Sequence, residues 1–311
     1  MLENFLTVAQ SVLSLFILMA VGFCCQRFKL LNETAVKACA NLVLYIATPC
    51  VIIKSCIREF DATLLTGFLV MAAVAVVNHV ALIFVAHRCF RDKDEGRRRV
   101  FRFATVFGNA GYMGIPLQQA ILGDEGVFYC AAYVIVFNIT VWTYGAICMS
   151  GDKRELAPKK LIFNPGIIGV AVGMVLFLLS VPVPTFAVNA IGHLSVLNTA
   201  LPMLIVGYYI AQTDILGALK DKKSYLCIFL RLIAAPLLAL GLLLLVGVRG
   251  TVLTSCMICI CAPVATATTM FATRYERDPL LSVNLVSVST LLAIITMPLI
   301  IALAQYLGAA L

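Results

Sequence analysis

The segment "GNAGYMGIP", residues Gly108 to Pro116, sets the fold of this chain. It carries three glycines at three-residue spacing, an asparagine, a tyrosine and a final proline, inside a stretch otherwise apolar enough to cross a bilayer. Glycine and proline both disfavour a continuous helix, and lipid offers no partner to the backbone groups that a break exposes. The segment therefore predicts a broken membrane helix whose exposed backbone groups bond to other parts of the protein.

The composition places the whole chain in a bilayer. Of its 311 residues, 62% are hydrophobic and 12% are charged, and the mean hydropathy is +1.03. These values leave too few polar residues to cover a soluble domain of this size. The N-terminal "MLENFLTVAQ" has no Lys or Arg before the first apolar stretch. It lacks the basic start of a signal peptide and predicts a retained first span.

Ten apolar stretches of near-spanning length are predicted to be membrane helices. They cover about 5–24, 35–57, 63–86, 100–122, 126–149, 163–181, 186–211, 224–247, 251–273 and 279–308. If both termini lie outside, 20 of the 23 Lys and Arg residues fall on the cytoplasmic side, and only Lys54, Arg58 and Arg249 remain outside. This asymmetry agrees with the positive-inside rule. Anionic lipid then accounts for the net charge of +8, and no nucleic-acid partner is predicted.

The chain divides into two halves at a basic loop. Residues 1–150 form a first five-helix repeat, 151–162 a basic cytoplasmic linker, and 163–311 a second five-helix repeat. Because five is odd, the second half enters the membrane from the opposite side. The sequence therefore predicts an all-α membrane protein built from two inverted repeats.

Prolines recur at matching places in the two halves. Pro49 and Pro116 lie 67 residues apart in the second and fourth spans, and Pro202 and Pro263 lie 61 apart in the seventh and ninth. The pattern predicts that helices 4 and 9 are broken and cross near the midplane, with new half-helices starting after Pro116 and Pro263. Their positive ends would attract an anion. The alternative is two kinks that form no site.

The residues around these breaks carry a resemblance to a known family. "FGNAGYMGIPLQQAILGDEGVFYCAAYVIVFNITVW" resembles the fourth and fifth spans of the auxin efflux carrier family. "NLVLYIATPCVIIKS", "LRLIAAP" and "FATRYERDPLLSVNLVSVSTLLAIITMPL" resemble its second span, its eighth span and its ninth-to-tenth junction. The resemblance covers nearly the whole chain, and its most specific part runs from Asn109 to Pro116.

The resemblance implies a scaffold domain, a transport domain and elevator-type alternating access, with an organic anion at the crossing of helices 4 and 9. It also implies a homodimer through the scaffold helices. The linker is far shorter than in plant auxin carriers, and Gly166 stands where those proteins carry an amide. Both departures point to a compact bacterial-type member in the inner membrane and away from auxin as the substrate. Resemblance to the bacterial relatives implies dicarboxylates such as malate or malonate instead.

The predicted substrate-binding residues lie on or near the breaks. They are Asn109, Gly111, Tyr112, Gly114, Pro116, Asn138, Pro263 and Thr266. The Asn109 amide can donate to a carboxylate, or it can clasp another helix or the broken backbone. Thr266 can cap the new half-helix or touch a ligand. Tyr112 either lines the site or packs against neighbouring helices. The prediction of a role for Asn138 depends largely on the resemblance.

Other polar residues at membrane depth have two interpretations each. His79 is a proton or polar relay, or a hydrogen-bonded core histidine. Arg231 and Lys54 extend toward the nearer membrane face, or they supply a counter-charge for an anion. No Asp or Glu lies at mid-membrane. Ion coupling is therefore either absent or uses backbone carbonyls and hydroxyls.

The sequence predicts no metal and no cofactor. Cys256, Cys259 and Cys261 form a C-x-x-C-x-C run, but no histidine cluster accompanies it, and small buried hydrophobes are the simpler interpretation. Three scattered histidines supply no catalytic centre, so the chain is not predicted to be an enzyme. The predicted function is secondary transport of small organic anions. The alternatives are a sodium-coupled symporter of the bile-acid type and a membrane sensor that binds without translocating.

Overall fold

The computed structural model describes residues 2–155, 163–213 and 221–310, so the predicted linker 151–162 lies partly outside the described residues. Within these ranges the chain is helical apart from short connections, and the predicted all-α class is confirmed. The helices are α1 Leu2–Arg27, α2 Glu33–Cys56, α3 Ala62–Cys89, α4 Glu95–Val106, α5 Ala110–Ser150, α6 Pro165–Leu178, α7 Thr185–Ile210, α8 Lys222–Leu245, α9 Gly250–Ile260, α10 Ala267–Arg274 and α11 Pro279–Ala310. A 3₁₀ turn, Lys153–Glu155, follows α5.

Short polar side chains fix where many of these helices begin. Asn32, Asp61, Asp94 and Asn164 each precede a helix and accept a backbone N–H from two or three residues later. Each bond satisfies one of the N–H groups that the first helical turn leaves without a partner.

Seven helices in the described ranges are long and apolar enough to cross a membrane: α1, α2, α3, α5, α7, α8 and α11. The apolar helices α6 and α9 are shorter, with 14 and 11 residues. The difference from ten predicted spans arises largely at the breaks. The fourth predicted span is divided between α4 and α5, and the ninth between α9 and α10. Gly123, with a φ of 63°, interrupts the 41-residue α5. Ten spans in an inverted arrangement stay a prediction.

Three helices widen into a π-helix just before a proline. The π segments are Val43–Ala47 before Pro49, Ala110–Gly114 before Pro116 and Leu230–Ala234 before Pro236. Proline lacks an N–H and clashes with the carbonyl four residues earlier, and the wider turn gives that carbonyl room. Pro202, by contrast, lies inside α7, which is α-helical on both sides of it. The predicted proline pair Pro49 and Pro202 therefore does not share a local conformation.

Glycines allow four helices to pack at close range. A Cβ on Gly22 of α1 would overlap the backbone of Leu204, and one on Gly207 of α7 would overlap the backbone of Met19. The α2–α6 contact is similar, because a Cβ on Gly169 would come within 2.9 Å of the Pro49 Cα. Helices α1, α2, α6 and α7 thus form one tightly packed group.

The remaining helices pack around the two breaks. An ionic cluster joins the N-terminal ends of three of these helices, α4, α8 and α11. Arg97 of α4 contacts Asp221 before α8 at 2.6 Å and Asp278 before α11 at 3.4 Å. Lys223 contacts Asp92 at 2.7 Å and holds the pKa of that carboxyl below its usual range. The starts of α4, α8 and α11 are therefore linked by charge at one end of the molecule.

The close approach of α1 and α7 generates a stability prediction. Gly207→Ala places a Cβ against the Met19 backbone, which cannot rotate away, and is expected to destabilise the protein by about 1–3 kcal/mol. Gly192→Ala in the same helix is the matched control, because nothing lies within 4 Å of its added Cβ. The control is expected to be neutral or stabilising by up to about 1 kcal/mol. Thermal unfolding in detergent measures both, and equal stabilities would contradict the packing described.

Candidate functional site

The two helix breaks meet and bond to each other through their backbones. Gly108 and Val264 form an antiparallel bridge. The Asn109 N–H donates to the Pro263 carbonyl at 2.7 Å, and the Ala265 N–H donates to the Phe107 carbonyl at 3.0 Å. Backbone groups that the breaks would leave exposed in lipid are therefore paired across the crossing. Breaks near Pro116 and Pro263 were predicted, and the structure brings these two breaks together.

The helix after the first break begins earlier than predicted. α5 starts at Ala110, and Asn109 is its N-terminal cap, with Oδ1 accepting the Tyr112 N–H at 3.4 Å. The prediction that the half-helix starts after Pro116 is wrong, because a π turn lets the helix pass the proline without a break. The helix after the second break, α10, begins at Ala267. Pro263 lies in the extended segment between α9 and α10, where its carbonyl accepts the Asn109 N–H.

Asn109 has one amide group that no described residue satisfies. Its side chain is 4% exposed, and its Oδ1 is engaged in capping. Its Nδ2 has no hydrogen-bond partner among the described residues. A buried amide N–H₂ without an acceptor costs free energy, on the order of 1–3 kcal/mol. The group is thus a donor held at the crossing and able to bind an acceptor.

Arg231 lies against the same crossing. Its side chain is fully buried, Nε donates to the Ala262 carbonyl at 3.0 Å, and Nη2 donates to the Ile260 carbonyl at 3.2 Å. A Cβ on Gly108 would overlap its guanidinium group. Arg231 therefore turns inward, and the interpretation that it extends toward the membrane face is wrong. The reason is that the carbonyls at the C-terminal end of α9 attract a cation.

The charge of Arg231 has no carboxylate partner within the described ranges. Its hydrogen bonds go to backbone carbonyls, its Nη1 has no hydrogen-bond partner of good geometry there, and the Tyr133 hydroxyl lies close to the guanidinium. Lys54, the other basic residue with two interpretations, lies 3.7 Å from Asp124 beside the Gly123 kink. Arg231 is thus a buried cation at the crossing with one donor unoccupied, whereas Lys54 is paired elsewhere.

His79 and Tyr133 lie near enough to Arg231 to interact with its charge. Asn78 of α3 donates to the Tyr133 hydroxyl at 3.0 Å, and the buried His79 ring lies beside Tyr133 and Phe107. His79 Nδ1 contacts the Ala75 carbonyl at 2.7 Å, while its Nε2 has no described partner. Its ring is therefore positioned by the core, and a relay role for His79 stays a prediction.

The other predicted residues occupy different surroundings. Gly111 and Gly114 lie in the π segment after Asn109, and Gly111 borders open space. Tyr112 packs toward α7 beside Tyr209. Asn138 donates to the Val134 carbonyl and accepts from Asn164 at 3.0 Å, which is the geometry of an interhelical clasp. Their substrate contacts stay predictions.

Thr266 holds the N-cap position of α10, but its hydroxyl makes no capping bond, so the capping interpretation of that hydroxyl is wrong. Sequence reasoning anticipated a role for the Thr268 hydroxyl but missed Ser289. Ser289 of α11 accepts the Val264 N–H at 3.1 Å, and the buried Thr268 hydroxyl has no described partner. Serine is common in membrane helices, so Ser289 gave no distinct signal.

Cys256, Cys259 and Cys261 are buried. Cys256 contacts Met71, and Cys259 contacts Cys130. These are packing contacts, as the interpretation of the cysteines as small buried hydrophobes expects.

At the crossing, the amide of Asn109 and the guanidinium of Arg231 both supply hydrogen-bond donors, an arrangement suited to a small anion.

The overlap of Gly108 with Arg231 generates a second stability prediction. Gly108→Ala is expected to displace the guanidinium and destabilise the protein by about 1–3 kcal/mol. In the double variant Gly108→Ala/Arg231→Ala the clash is gone, so the two losses should be less than additive. Gly111→Ala, whose added Cβ meets nothing within 4 Å, is the control. Additive losses measured by thermal unfolding would show that the two residues do not touch.

Comparison with known proteins agrees with a transport role. The chain matches a family described as membrane transport protein over residues 7–158 and 153–301. It is 22% identical to an uncharacterised transporter of Methanothermobacter thermautotrophicus, covering 95% of this chain and 98% of that protein. It is 24% identical to an uncharacterised transporter of Methanocaldococcus jannaschii, covering 93% and 96%. The chain therefore belongs to the membrane transport protein family, which includes the auxin efflux carriers.

Proposed function

We propose that the protein is a secondary transporter of small organic anions, mono- or dicarboxylates such as malate or malonate, and that it holds the anion at the crossing of the two helix breaks. One observation carries the proposal. The crossing combines a buried guanidinium that has no described carboxylate partner, Arg231, with an unsatisfied amide donor, Asn109 Nδ2.

Electrostatics favours an anion as the missing partner. Removing a charge from water costs several kcal/mol, and the backbone carbonyls that contact Arg231 offset only part of this cost. A substrate carboxylate would complete the ion pair. The N-terminal turn of α5, which begins beside Asn109, adds a partial positive charge that favours the same ligand.

The two packed groups of helices support elevator-type movement. In this proposal α1, α2, α6 and α7 form the scaffold, and the helices around the crossing carry the anion past it. The proposal keeps ten spans in two inverted repeats, 1–150 and 163–311, with both termini outside the bacterial inner membrane and a homodimer through the scaffold. The antiparallel pairing of the breaks supports the inverted arrangement.

Arg231 favours this function over the sodium-coupled alternative. Carbonyls at the C-terminal end of a broken helix are common sodium ligands in transporters. Here the carbonyls of Ile260 and Ala262 already accept hydrogen bonds from a fixed cation. A sodium ion at the same place would meet like charge, so we propose transport that does not require sodium.

The first functional prediction concerns the two donors. In proteoliposomes, Asn109→Ala is expected to weaken uptake of the best substrate by about 10- to 100-fold in apparent affinity, the range for a lost bond to a charged acceptor. Asn109→Asp is expected to be worse, because it adds a charge of the same sign as the substrate. Arg231→Gln is expected to abolish uptake.

Asn189→Ala, which removes an exposed amide of α7, is the matched control and should transport normally. Each variant is first shown to elute as folded protein. Unchanged kinetics in Asn109→Ala would remove Asn109 from the site. Failure of the folded wild-type protein to transport any acid of a broad panel, while still binding one, would favour the sensor alternative.

The second functional prediction concerns the driving ion. Replacing external sodium by choline is expected to leave the initial uptake rate of the wild-type protein unchanged, since Arg231 already supplies the positive charge at the end of α9. A rate that rises with sodium concentration and saturates would instead support the bile-acid type of symport.

A further inference from the structure

A basic pocket lies at the opposite end of α4 from the crossing. It has a volume of about 240 Å³ and sits between the C-terminal end of α3, the first turns of α4 and the C-terminal end of α5. Its lining residues are His87, Arg98, Arg99, Arg102, Tyr144, Ile147, Cys148, Gly151 and Lys153. Transport as proposed above does not use this pocket, and nothing in the family match assigns it a role.

The three arginines are held in place by backbone carbonyls. Arg98 Nη1 donates to the Asp92 carbonyl at 2.9 Å, Arg99 Nη1 to the Cys148 carbonyl at 2.7 Å, and Arg102 Nε to the Phe90 carbonyl at 3.1 Å. Carbonyls orient a guanidinium without cancelling its charge. The pocket therefore presents fixed positive groups.

The pocket has an excess of positive charge. Among the described residues, Glu95 is the carboxylate that pairs with its lining, contacting Arg99 and lying 4.0 Å from Arg98. Asp152 lies between the lining residues Gly151 and Lys153 in the sequence. Arg102 and Lys153 make no ion pair within the described ranges. An anion that enters this space would find at least two cations that have no carboxylate partner among the described residues.

An apolar stripe leads from the pocket along the outer face of α3. Val77, Val80 and Phe84 are 63%, 61% and 70% exposed. Their spacing of three and four residues puts them on one helix face, and the next position on that face is His87. In a bilayer these side chains face acyl chains. His87 also lines the pocket, so the apolar stripe along α3 ends at the basic pocket.

We propose that this surface binds one anionic phospholipid, with the phosphate in the basic pocket and an acyl chain along Val77, Val80 and Phe84. Charge complementarity selects a negative headgroup, because basic pockets between membrane helices bind such headgroups on the cytoplasmic side. The adjoining stripe selects a lipid over a soluble phosphate ester. The inference is independent of which anion crosses the membrane at Arg231.

Native mass spectrometry of the full chain in detergent tests the site with phosphatidylglycerol and phosphatidylcholine of identical acyl chains. The wild-type protein is expected to bind phosphatidylglycerol more tightly. Arg102→Gln and Lys153→Gln should each weaken phosphatidylglycerol binding by about fivefold, the effect of one basic residue near an anionic surface. Binding of phosphatidylcholine should not change.

Arg91→Gln is the matched control, because Arg91 is an exposed basic residue at the same end that does not line the pocket. It should bind phosphatidylglycerol as the wild type does. Arg102→Lys, which keeps the charge, should retain most of the affinity, so a loss in Arg102→Gln is not a folding defect. Equal loss in the Arg91 and Arg102 variants would overturn the proposal, since it would show nonspecific attraction.

A soluble headgroup separates the two sources of phosphate. Glycerol phosphate lacks acyl chains, and at the same molar concentration it is expected not to raise the unfolding temperature that phosphatidylglycerol raises. An equal increase from glycerol phosphate would overturn the lipid assignment and leave a site for soluble phosphate esters. Equal affinity of the wild type for phosphatidylglycerol and phosphatidylcholine would overturn the proposal altogether.

Discussion

The backbone bridge between Gly108 and Val264 is the interaction on which the rest of the site depends. A helix can be interrupted inside a membrane only where its unpaired N–H and C=O groups find partners in protein or water. Here each break supplies partners for the other, through the bonds of Asn109 to Pro263 and of Ala265 to Phe107. Neither break would be stable alone, so the two halves of the chain must fold together at this point.

The bridge also explains the surroundings of Arg231. Gly108 has no side chain, and the Arg231 guanidinium occupies the space that a Cβ at this position would fill. The guanidinium in turn bonds to carbonyls at the end of α9, which have no N–H partner of their own in a terminating helix. Glycine, arginine and helix end form one arrangement that places positive charge beside the Asn109 amide. The proposed transport of anions requires such a place.

Much of the fold was predictable because the signals are local. The apolar runs predicted the long apolar helices, and the glycines after residue 107 and the prolines predicted the two breaks. The position of Pro116 inside a helix was not predictable, because a π turn depends on whether the neighbouring helices tolerate its extra width. The sequence left two interpretations of Arg231 open for a related reason. A long basic side chain near a helix end usually extends to water. The inward direction is favourable here because the folded chain places the C-terminal end of α9 beside Arg231, and the sequence alone does not show this contact. Asn109 was predicted as a site residue from its residue type, whereas Ser289 gives no signal in the sequence apart from the Val264 N–H that it binds.

The π segments have one more consequence. A π turn contains more residues than an α turn. The π segments before Pro49 in α2 and before Pro236 in α8, and a further π segment inside α5 (Val141–Gly145), therefore each act as a one-residue insertion in their helix. Residues beyond the segment are rotated by about 100° around the axis relative to an uninterrupted α-helix. The outward and inward faces of α2, α5 and α8 therefore change phase within the membrane. A single helical wheel drawn for any of them superposes residues that face different neighbours.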